Sequence, residues 1–159
     1  MSDAWMAPVA ATGPVTASGA LLFDAAGRVL LVEPTYKPGF EFPGGMAQPG
    51  ESPWETCVRE VQEELGVTAP RPLRLLVADW ASPGVGRVGG MRWLFDGGVM
   101  SPGQISSIRL PADELRSFVF VTVGAAADLL PRDRMRRLEA AMAVRRCGRA
   151  VYLHDGAKP

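Results

Sequence analysis

Residues 45–67 read GMAQPGESPWETCVREVQEELGV, and this stretch places three glutamates within about one turn of a predicted helix. The glutamates are Glu60, Glu63 and Glu64, which are three and four residues apart and are therefore neighbours on a helix surface. Their negative charges repel one another unless a positive charge lies between them. Mg2+ in proteins is bound by carboxylates together with substrate phosphates. The stretch therefore predicts a metal site, and the metal predicts a phosphate-containing substrate.

Signals at both ends of this stretch predict a helix over Pro53–Leu65. Ser52 is suited to the N-cap, a proline follows it, Glu55 completes a capping box, and Gly66 suits the C-terminal stop. At about 100° per residue, the apolar residues form one stripe and the three glutamates fall beside it. We therefore expect the helix to pack on a sheet with its carboxylates partly buried. The stripe consists of Trp54, Cys57, Val58, Val61 and Leu65.

The same stretch resembles the Nudix box, Gly-x5-Glu-x7-Arg-Glu-U-x-Glu-Glu-x-Gly-U, in which U is an aliphatic residue. Every fixed position of that pattern is matched between Gly45 and Val67. The order of predicted strands and helices around it is also similar to a Nudix domain, over roughly residues 15–155. The resemblance implies an α/β fold, a Nudix-like α/β/α sandwich with a mixed β-sheet.

Apolar runs and turn residues predict the secondary structure of the rest of the chain. Residues 1–14 are interpreted as a flexible N-terminal arm, residues 15–159 as a single Nudix hydrolase domain, and residues 82–90 as a long flexible loop. The predicted strands are Val15–Phe23, Arg28–Glu33, Leu73–Trp80, Met91–Phe95, Ile105–Leu110, Phe118–Val123 and Val151–Leu153, and a second helix is predicted over Met135–Arg146.

The resemblance also implies roles for residues of the box. Glu60, Glu63 and Glu64 match positions that bind Mg2+ or Mn2+, and Glu63 or Glu64 could instead act as general base on a metal-bound water. The residue matching Arg59 orients a metal-binding glutamate, and the one matching Glu51 helps to order the loop. For the glutamates the alternative is a solvated acidic face, and for Arg59 an ordinary surface ion pair.

Two further metal-binding candidates come from the resemblance. A backbone carbonyl at the loop of Gly44 and Gly45 joins the metal shell in the family, so Gly45 is a candidate, while the alternative is that these glycines only turn the chain. Many Nudix enzymes place another metal-binding or basic glutamate where Glu114 stands, before the predicted strand Phe118–Val123. Its alternative is an exposed turn.

Aromatic and cationic residues near the box are candidates for substrate binding. One or two aromatic rings could stack on a nucleobase, and core packing is the alternative for each ring. Lys37, Arg87 and Arg92 are the nearest cations for further phosphates, and solvated surface is their alternative. The Arg-rich run at residues 132–149 is interpreted as the solvated face of an amphipathic helix. The aromatic candidates are Tyr36, Phe40, Phe42, Trp80 and Trp93.

The length and composition of the chain limit the classes of partner and cellular location that it can be expected to have. The 159 residues carry a net charge of zero, which favours neither nucleic acid nor an acidic membrane as partner. Neither a signal peptide nor a membrane span is predicted, and Cys57 and Cys147 form no disulfide framework. We therefore expect a cytoplasmic protein whose partner is a small-molecule diphosphate substrate, with a homodimer as an open alternative.

These residues bear on three functional hypotheses. The leading hypothesis is a Mg2+-dependent Nudix hydrolase that cleaves the diphosphate of a nucleoside diphosphate linked to a moiety X, as in a nucleotide, a nucleotide sugar or an ADP-ribose-like compound. The alternative is a non-catalytic Nudix-type ligand-binding or regulatory domain, which degenerate carboxylates would favour. An isomerase of the isopentenyl-diphosphate type would need a placed catalytic cysteine, and neither Cys57 nor Cys147 is suited to that role.

Overall fold

The computed structural model describes residues 14–69, 73–85 and 87–159. Its strands and helices are numbered along the chain. The strands are β1 (Val15–Phe23), β2 (Val29–Pro34), β3 (Gly44–Met46), β4 (Arg74–Ala81), β5 (Gly90–Val99), β6 (Leu115–Val121) and β7 (Val151–His154). The helices are α1 (Pro53–Leu65), α2 (Pro102–Ser106), α3 (Val123–Ala126) and α4 (Arg132–Cys147).

The described residues form one seven-stranded sheet in the order β6-β2-β1-β5-β4-β7, with β3 paired to β1 outside this path. Strand β1 is antiparallel to β2 and β3 and parallel to β5. Strand β4 is antiparallel to β5 and parallel to β7. The predicted mixed sheet is therefore confirmed, and β1 lies at its centre.

Two hydrophobic clusters lie on opposite faces of the sheet. Side chains alternate between the faces of a strand, so Ala20 and Leu22 of β1 join the cluster that contains α1, whereas Leu21 and Phe23 join the cluster that contains α4. We call these faces the α1 face and the α4 face. Helices on both faces of the sheet confirm the predicted α/β/α sandwich.

Helix α1 has the predicted bounds and the predicted caps. The Ser52 side chain accepts a hydrogen bond from the Glu55 N–H, the Glu55 side chain accepts one from the Ser52 N–H, and Gly66 adopts φ 67°. Cys57, Val61 and Leu65 are fully buried, and Trp54 and Val58 pack against the same cluster. The apolar stripe therefore places α1 as predicted.

The strand predicted over Ile105–Leu110 is wrong. Residues 102–106 form the short helix α2, because Ser101 caps it, Pro102 opens it and Gln104 completes a capping box. The strand predicted over Phe118–Val123 begins earlier, at Leu115, and ends at Val121. The predicted N-terminal arm falls almost wholly on residues 1–13, which lie outside the described residues. In the described ranges, no helix combines the length and the apolar character that a membrane crossing requires.

Candidate functional site

The turn at Gly44 and Gly45 is held directly against β1. In the antiparallel register, Gly44 is opposite Gly19 and Gly45 is opposite Ser18. Gly44 has φ 151°, and a Cβ at this position would collide with the Ser18 carbonyl oxygen. A residue with a side chain cannot occupy this position without moving the strand. The turn therefore has a fixed place at the sheet, next to α1.

Two glutamates of α1 reach this turn. The Gly44 N–H donates a hydrogen bond of 2.8 Å to Glu64 Oε2. The Glu60 carboxylate lies against Gly45, because a Cβ built on that glycine would be 2.5–2.8 Å from the Glu60 Oε1, Cδ and Oε2 atoms. Glu64 is only 6% exposed and Glu60 is mostly buried. The structure thus brings Gly45, Glu60 and Glu64 together.

Arg59 connects the other acidic residues of the box. Its Nη1 donates to Glu60 Oε1 at 2.8 Å and to Glu63 Oε2 at 2.7 Å. Its Nε and Nη2 donate to the two oxygens of Glu51 at 2.6 and 3.0 Å, and Nη2 also donates to the Met46 carbonyl at 3.0 Å. Charge-assisted bonds of this bidentate kind fix orientation as well as adding energy. Arg59 therefore ties the loop after β3 to α1.

Glu51 makes further bonds that order this loop. It accepts a hydrogen bond from the Gln48 N–H at 2.8 Å and another from Thr56 Oγ1 at 3.1 Å. The Arg59 hydrogen bonds, followed by the Gln48 N–H, lower the pKa of Glu51 to about 2. Glu51 is therefore a carboxylate that stays ionised while it holds the loop.

The environment of Glu64 is very different. Burial raises the pKa of its carboxyl to about 8, outweighing the hydrogen bond from Gly44, and the negative charges of Glu60, Glu41 and Glu114 add to the rise. Burial also raises the pKa of Glu60, although Arg59 opposes it. Four carboxylates therefore act on one another electrostatically around Glu64, while Arg59 bonds to only one of these four.

The described side chains include no group of three His, Cys, Asp or Glu residues arranged to hold a metal ion as they stand. The reason is visible in the contacts, since Arg59 draws Glu60 and Glu63 to itself while Glu64 bonds to Gly44. The chemistry of the donors nevertheless fits Mg2+ or Mn2+, which prefer carboxylate oxygens. A divalent cation would also relieve the repulsion between these carboxylates, which adds to the rise that burial causes in the pKa of Glu64. Metal binding stays a prediction.

Glu114 lies in the turn before β6 and is exposed. Its backbone carbonyl accepts a hydrogen bond from the Thr35 N–H at 2.9 Å, which fixes the turn to the end of β2. Its charge raises the pKa of both Glu60 and Glu64. The structure therefore places Glu114 near the glutamates of α1, although its carboxylate makes no hydrogen bond or ion pair with the described residues.

A cavity of about 510 Å3 extends from Gly44 and Gly45 along β1 and β5 to α4, and this volume is typical of a small-molecule site. Six of the predicted substrate residues line it, namely Tyr36, Lys37, Phe42, Arg87, Arg92 and Trp93. Phe40 instead packs against the core on the α4 face, and Trp80 is not among the lining residues. The cavity is also lined by Arg134 and Arg137.

Residues 13–140 match the sequence profile of the NUDIX domain. The chain belongs to the Nudix family. The stretch over residues 45–67 and the turn at Gly44 and Gly45 both lie within the matched range.

Relatives of this Nudix domain are similar to it over limited segments. It is 42% identical over 62 residues to nucleoside diphosphate-linked moiety X motif 6 of Xenopus laevis, covering 38% of this chain and 29% of that protein. It is 59% identical over 34 residues to the uncharacterized Nudix hydrolase orf19 of Rhodococcus erythropolis, covering 20% of this chain and 18% of that protein. The matched segments thus span less than a third of each of these relatives.

The fold is also that of solved Nudix domains. The Nudix domain of Shewanella oneidensis NrtR, solved as a complex with ADP ribose, superposes with a TM-score of 0.71 at 19% identity, covering 90% of this chain and 98% of that one. At this identity the likeness shows the fold alone.

Sequence reasoning missed Glu41, which lies in the cavity wall. This buried carboxylate accepts hydrogen bonds from the Tyr36 hydroxyl at 3.3 Å and from Arg134 Nη2 at 3.1 Å, and Lys37 Nζ lies 2.7 Å from it. No motif marks Glu41 along the chain, and its partner Arg134 is 93 residues away. Only the fold reveals its position.

The interpretation of residues 132–149 as a solvated face is wrong at two positions. Arg134 and Arg137 of α4 both line the cavity, and Arg137 is buried against the fully buried Asp79 of β4. A buried carboxylate needs a partner, and Asp79 finds one in α4 because that helix packs over β4 and β5. Asp79, which lies between apolar residues within β4, was the available signal.

Proposed function

We propose that this Nudix domain is a pyrophosphohydrolase that cleaves the diphosphate of a nucleoside diphosphate linked to a moiety X. The observation that carries the proposal is the contact of Gly44 and Gly45 with the buried carboxylates of Glu64 and Glu60 at the edge of the cavity. The moiety X would be a nucleotide, a sugar or a group resembling the distal part of ADP-ribose. The name of the Xenopus laevis relative supports this class of substrate.

Glu60, Glu63 and Glu64 are the side chains that would hold Mg2+ or Mn2+, with the Gly45 backbone and Glu114 as further candidates. A bound divalent cation would neutralise the diphosphate and make water a better nucleophile. Glu60 and Glu64 are suited to this role because their carboxylates are buried beside the turn. Glu63, with a side chain 53% exposed, would need to leave Arg59.

Glu64 is proposed as the residue that accepts a proton from the attacking water. Its Oε2 is occupied by the Gly44 N–H, which leaves Oε1 for the proton. In the metal-free protein burial raises the pKa of Glu64 to about 8, and a cation bound nearby would lower that pKa. Glu63 is the weaker candidate because it is exposed and bonded to Arg59.

Arg59 and Glu51 are proposed to act through the glutamates they position. Glu51 fixes Arg59 through two hydrogen bonds, and Arg59 in turn fixes Glu60. Residues that orient metal ligands in this way typically matter 10–100-fold, an order-of-magnitude range for metal affinity or activity. Replacement of Arg59 or Glu51 should therefore displace Glu60, although neither residue is proposed to contact the substrate.

Substrate selection is proposed to reside in the cavity. Tyr36, Phe42 and Trp93 are the predicted aromatic residues that line it, and Tyr36 and Phe42, with Lys37 beside them, can contact a base or another flat group of X. Phe40 and Trp80 are assigned less weight because they lie outside the lining. A cytoplasmic location and a homodimer stay predictions.

The test is a screen of nucleoside diphosphate-X compounds with Mg2+, with Mn2+ and with EDTA. Phosphomonoester products are detected as inorganic phosphate after treatment with a phosphatase. We expect turnover in Mg2+ or Mn2+, none in EDTA, and at least about a hundredfold less for Glu64→Gln. Tight binding of one compound by the wild type without turnover in either metal would favour the non-catalytic ligand-binding alternative.

A further inference from the structure

Arg92 of β5 is a half-buried cation in the cavity wall that has no carboxylate partner among the described residues. Its Nη1 donates to the Met91 carbonyl at 3.3 Å and its Nη2 donates to the Val88 carbonyl at 3.4 Å. Both bonds are long for N–H···O hydrogen bonds, which centre near 2.9–3.0 Å, an approximate mode. A guanidinium has five N–H donors, so most of the capacity of Arg92 is unused.

Every other cation that lines the cavity contacts a carboxylate, in the part of the chain that the structure describes. Glu41 pairs with two of these cations. Both oxygens of Asp79 accept hydrogen bonds, one from Arg137 Nε and the other from the Gly156 N–H. The contacts are Lys37 with Glu41, Arg134 with Glu41, Arg137 with Asp79 and Asp133, and Arg87 with Asp155.

The lining is therefore rich in positive charge. Five cationic side chains line the cavity, against two carboxylates, Glu41 and Asp133. Burial, followed by the positive charges of three neighbouring arginines, lowers the pKa of Arg92, although an arginine in a protein keeps its proton. Asp79 opposes this shift but is already occupied. The half-buried positive charge of Arg92 is thus available to pair with a negative group of a ligand.

Arg92 lies on a different face of the sheet from the proposed hydrolytic residues. Along β5, Trp93 and Phe95 pack into the cluster on the α1 face, whereas Leu94 packs into the cluster on the α4 face. By alternation Arg92 belongs to the α4 face, beside Arg134 and Arg137. A diphosphate next to Glu60 and Glu64 would therefore not be the group that Arg92 contacts.

We propose that the β5–α4 end of the cavity is an anion subsite, in which Arg92 binds a phosphate or carboxylate that the substrate carries in addition to the scissile diphosphate. This inference rests on the proposed function and narrows its substrate class to compounds with an extra acidic group. Arginine suits such a subsite because its planar fork matches the oxygens of phosphate and carboxylate. Partial burial strengthens the attraction by lowering the local dielectric.

The test measures binding by calorimetry in EDTA, so that it does not depend on turnover or on metal. Two matched pairs of probes separate the two acidic groups: NADP+ against NAD+ for a phosphate, and UDP-glucuronate against UDP-glucose for a carboxylate. The diphosphate is common to both members of a pair, so the difference in affinity reports the extra group. We expect the member of one pair that carries the extra acidic group to bind at least about tenfold more tightly than the other member, equivalent to about 1.4 kcal/mol.

Three variants assign that preference to a residue. Arg92→Met should abolish it, and Arg92→Lys should retain part of it, which also guards against a folding defect in the methionine variant. Arg109→Met is the matched control, because Arg109 likewise bonds only to backbone carbonyls among the described residues but does not line the cavity. The inference is overturned if the wild type shows no preference within either pair, whether or not the probes bind, or if the preference survives in Arg92→Met.

The two proposals fail in different ways. A preference in EDTA that depends on Arg92, without turnover of any compound in Mg2+ or Mn2+, would keep the subsite and remove the hydrolase. Turnover of compounds with and without the extra acidic group, together with equal affinities within each probe pair, would keep the hydrolase and remove the subsite.

Discussion

The Glu60 carboxylate occupies the space that a side chain at Gly45 would need. A Cβ on Gly45 would lie 2.5 Å from Glu60 Oε1 and 2.8 Å from Glu60 Oε2. The first glycine of the box and its central glutamate are therefore in direct contact, although fifteen positions separate them in the printed sequence. The position of the Glu60 carboxylate therefore depends on the absence of a side chain at Gly45.

Gly45→Ala is expected to reduce turnover by roughly tenfold or more, the size typical of a misplaced ligand, with little change in Tm. The added methyl group would displace Glu60, and the far end of a flexible side chain moves at small cost. Steady-state kinetics and a thermal melt measure the two effects. Gly124→Ala is the control, because a Cβ there meets nothing within 4 Å. Unchanged turnover in Gly45→Ala would remove Glu60 from the proposed site.

Glu64→Gln and Glu63→Gln should differ in severity. We expect Glu64→Gln to cut turnover by at least about a hundredfold, as for the loss of a general base, because Glu64 is buried and its Oε1 is unused. Glu63→Gln removes an exposed ligand bonded to Arg59, so its turnover should fall less at saturating Mg2+. Kinetics across a range of Mg2+ concentrations separate metal affinity from chemistry. A larger loss in Glu63→Gln would transfer the base role to Glu63.

The stability of the metal-free protein should depend on pH through Glu64. Burial raises its pKa in the folded protein to about 8, against 4.5 for the ordinary group, so folding retains a proton that the unfolded chain releases. The stabilising contribution is complete below pH 4.5 and is lost as pH rises toward 8. Glu64→Gln should therefore be more stable than wild type above pH 8 in EDTA, by roughly 1–3 kcal/mol or about 3–10 °C in Tm.

Melting curves from pH 4 to 9 in EDTA check this sign, and the gap between variant and wild type should widen across that range. Glu63→Gln serves as the comparison, since Glu63 is exposed and its removal only frees Arg59. In excess Mg2+ the gap should shrink or reverse, because a bound cation stabilises only the wild-type site. A pH-independent gap would show that Glu64 is ionised in the folded protein.

Tyr36 should contribute to substrate binding and not to stability. Its ring lines the cavity and is 72% exposed, and stacking on a base is worth about 1–3 kcal/mol. Tyr36→Ala should raise KM several-fold at unchanged Tm, while Tyr36→Phe, which loses only the bond to Glu41, should stay near wild type. Phe40→Ala should lower Tm without raising KM, because Phe40 packs in the core. An unchanged KM in Tyr36→Ala would remove ring stacking from the site.

The sequence predicts the helix whose ends and buried face are determined by residues close together in the chain. The caps and the stripe of α1 depend on residues within one short segment, and they were read correctly from Ser52 to Gly66. The same logic was available at Ser101-Pro102-Gly103-Gln104, which forms a second capping box. The spaced apolar residues Ile105, Ile108 and Leu110 favoured a strand instead. The helix signal prevailed because α2 satisfies its first N–H groups within four residues.

Long-range contacts could not be predicted in this way. Glu41 meets Arg134, and Asp79 meets Arg137, only because α4 packs over the sheet. Charged residues are rarely buried without a partner, so the sequence predicts Arg92 only as one of three cations for further phosphates, with solvated surface as the alternative. Its burial follows from its place on the central strand pair β1–β5, which no spacing along the chain indicates.

The register of β1 has a consequence for how new substrate preferences could evolve or be engineered. At Ser18 and Gly19, one neighbour is the glycine turn of β3 and the other is β5. Variation introduced in β5 and in the loop preceding it would reshape the cavity while the turn on the opposite edge of β1 keeps its place. A combinatorial library restricted to that region would thus sample new ligands on an unaltered hydrolytic scaffold.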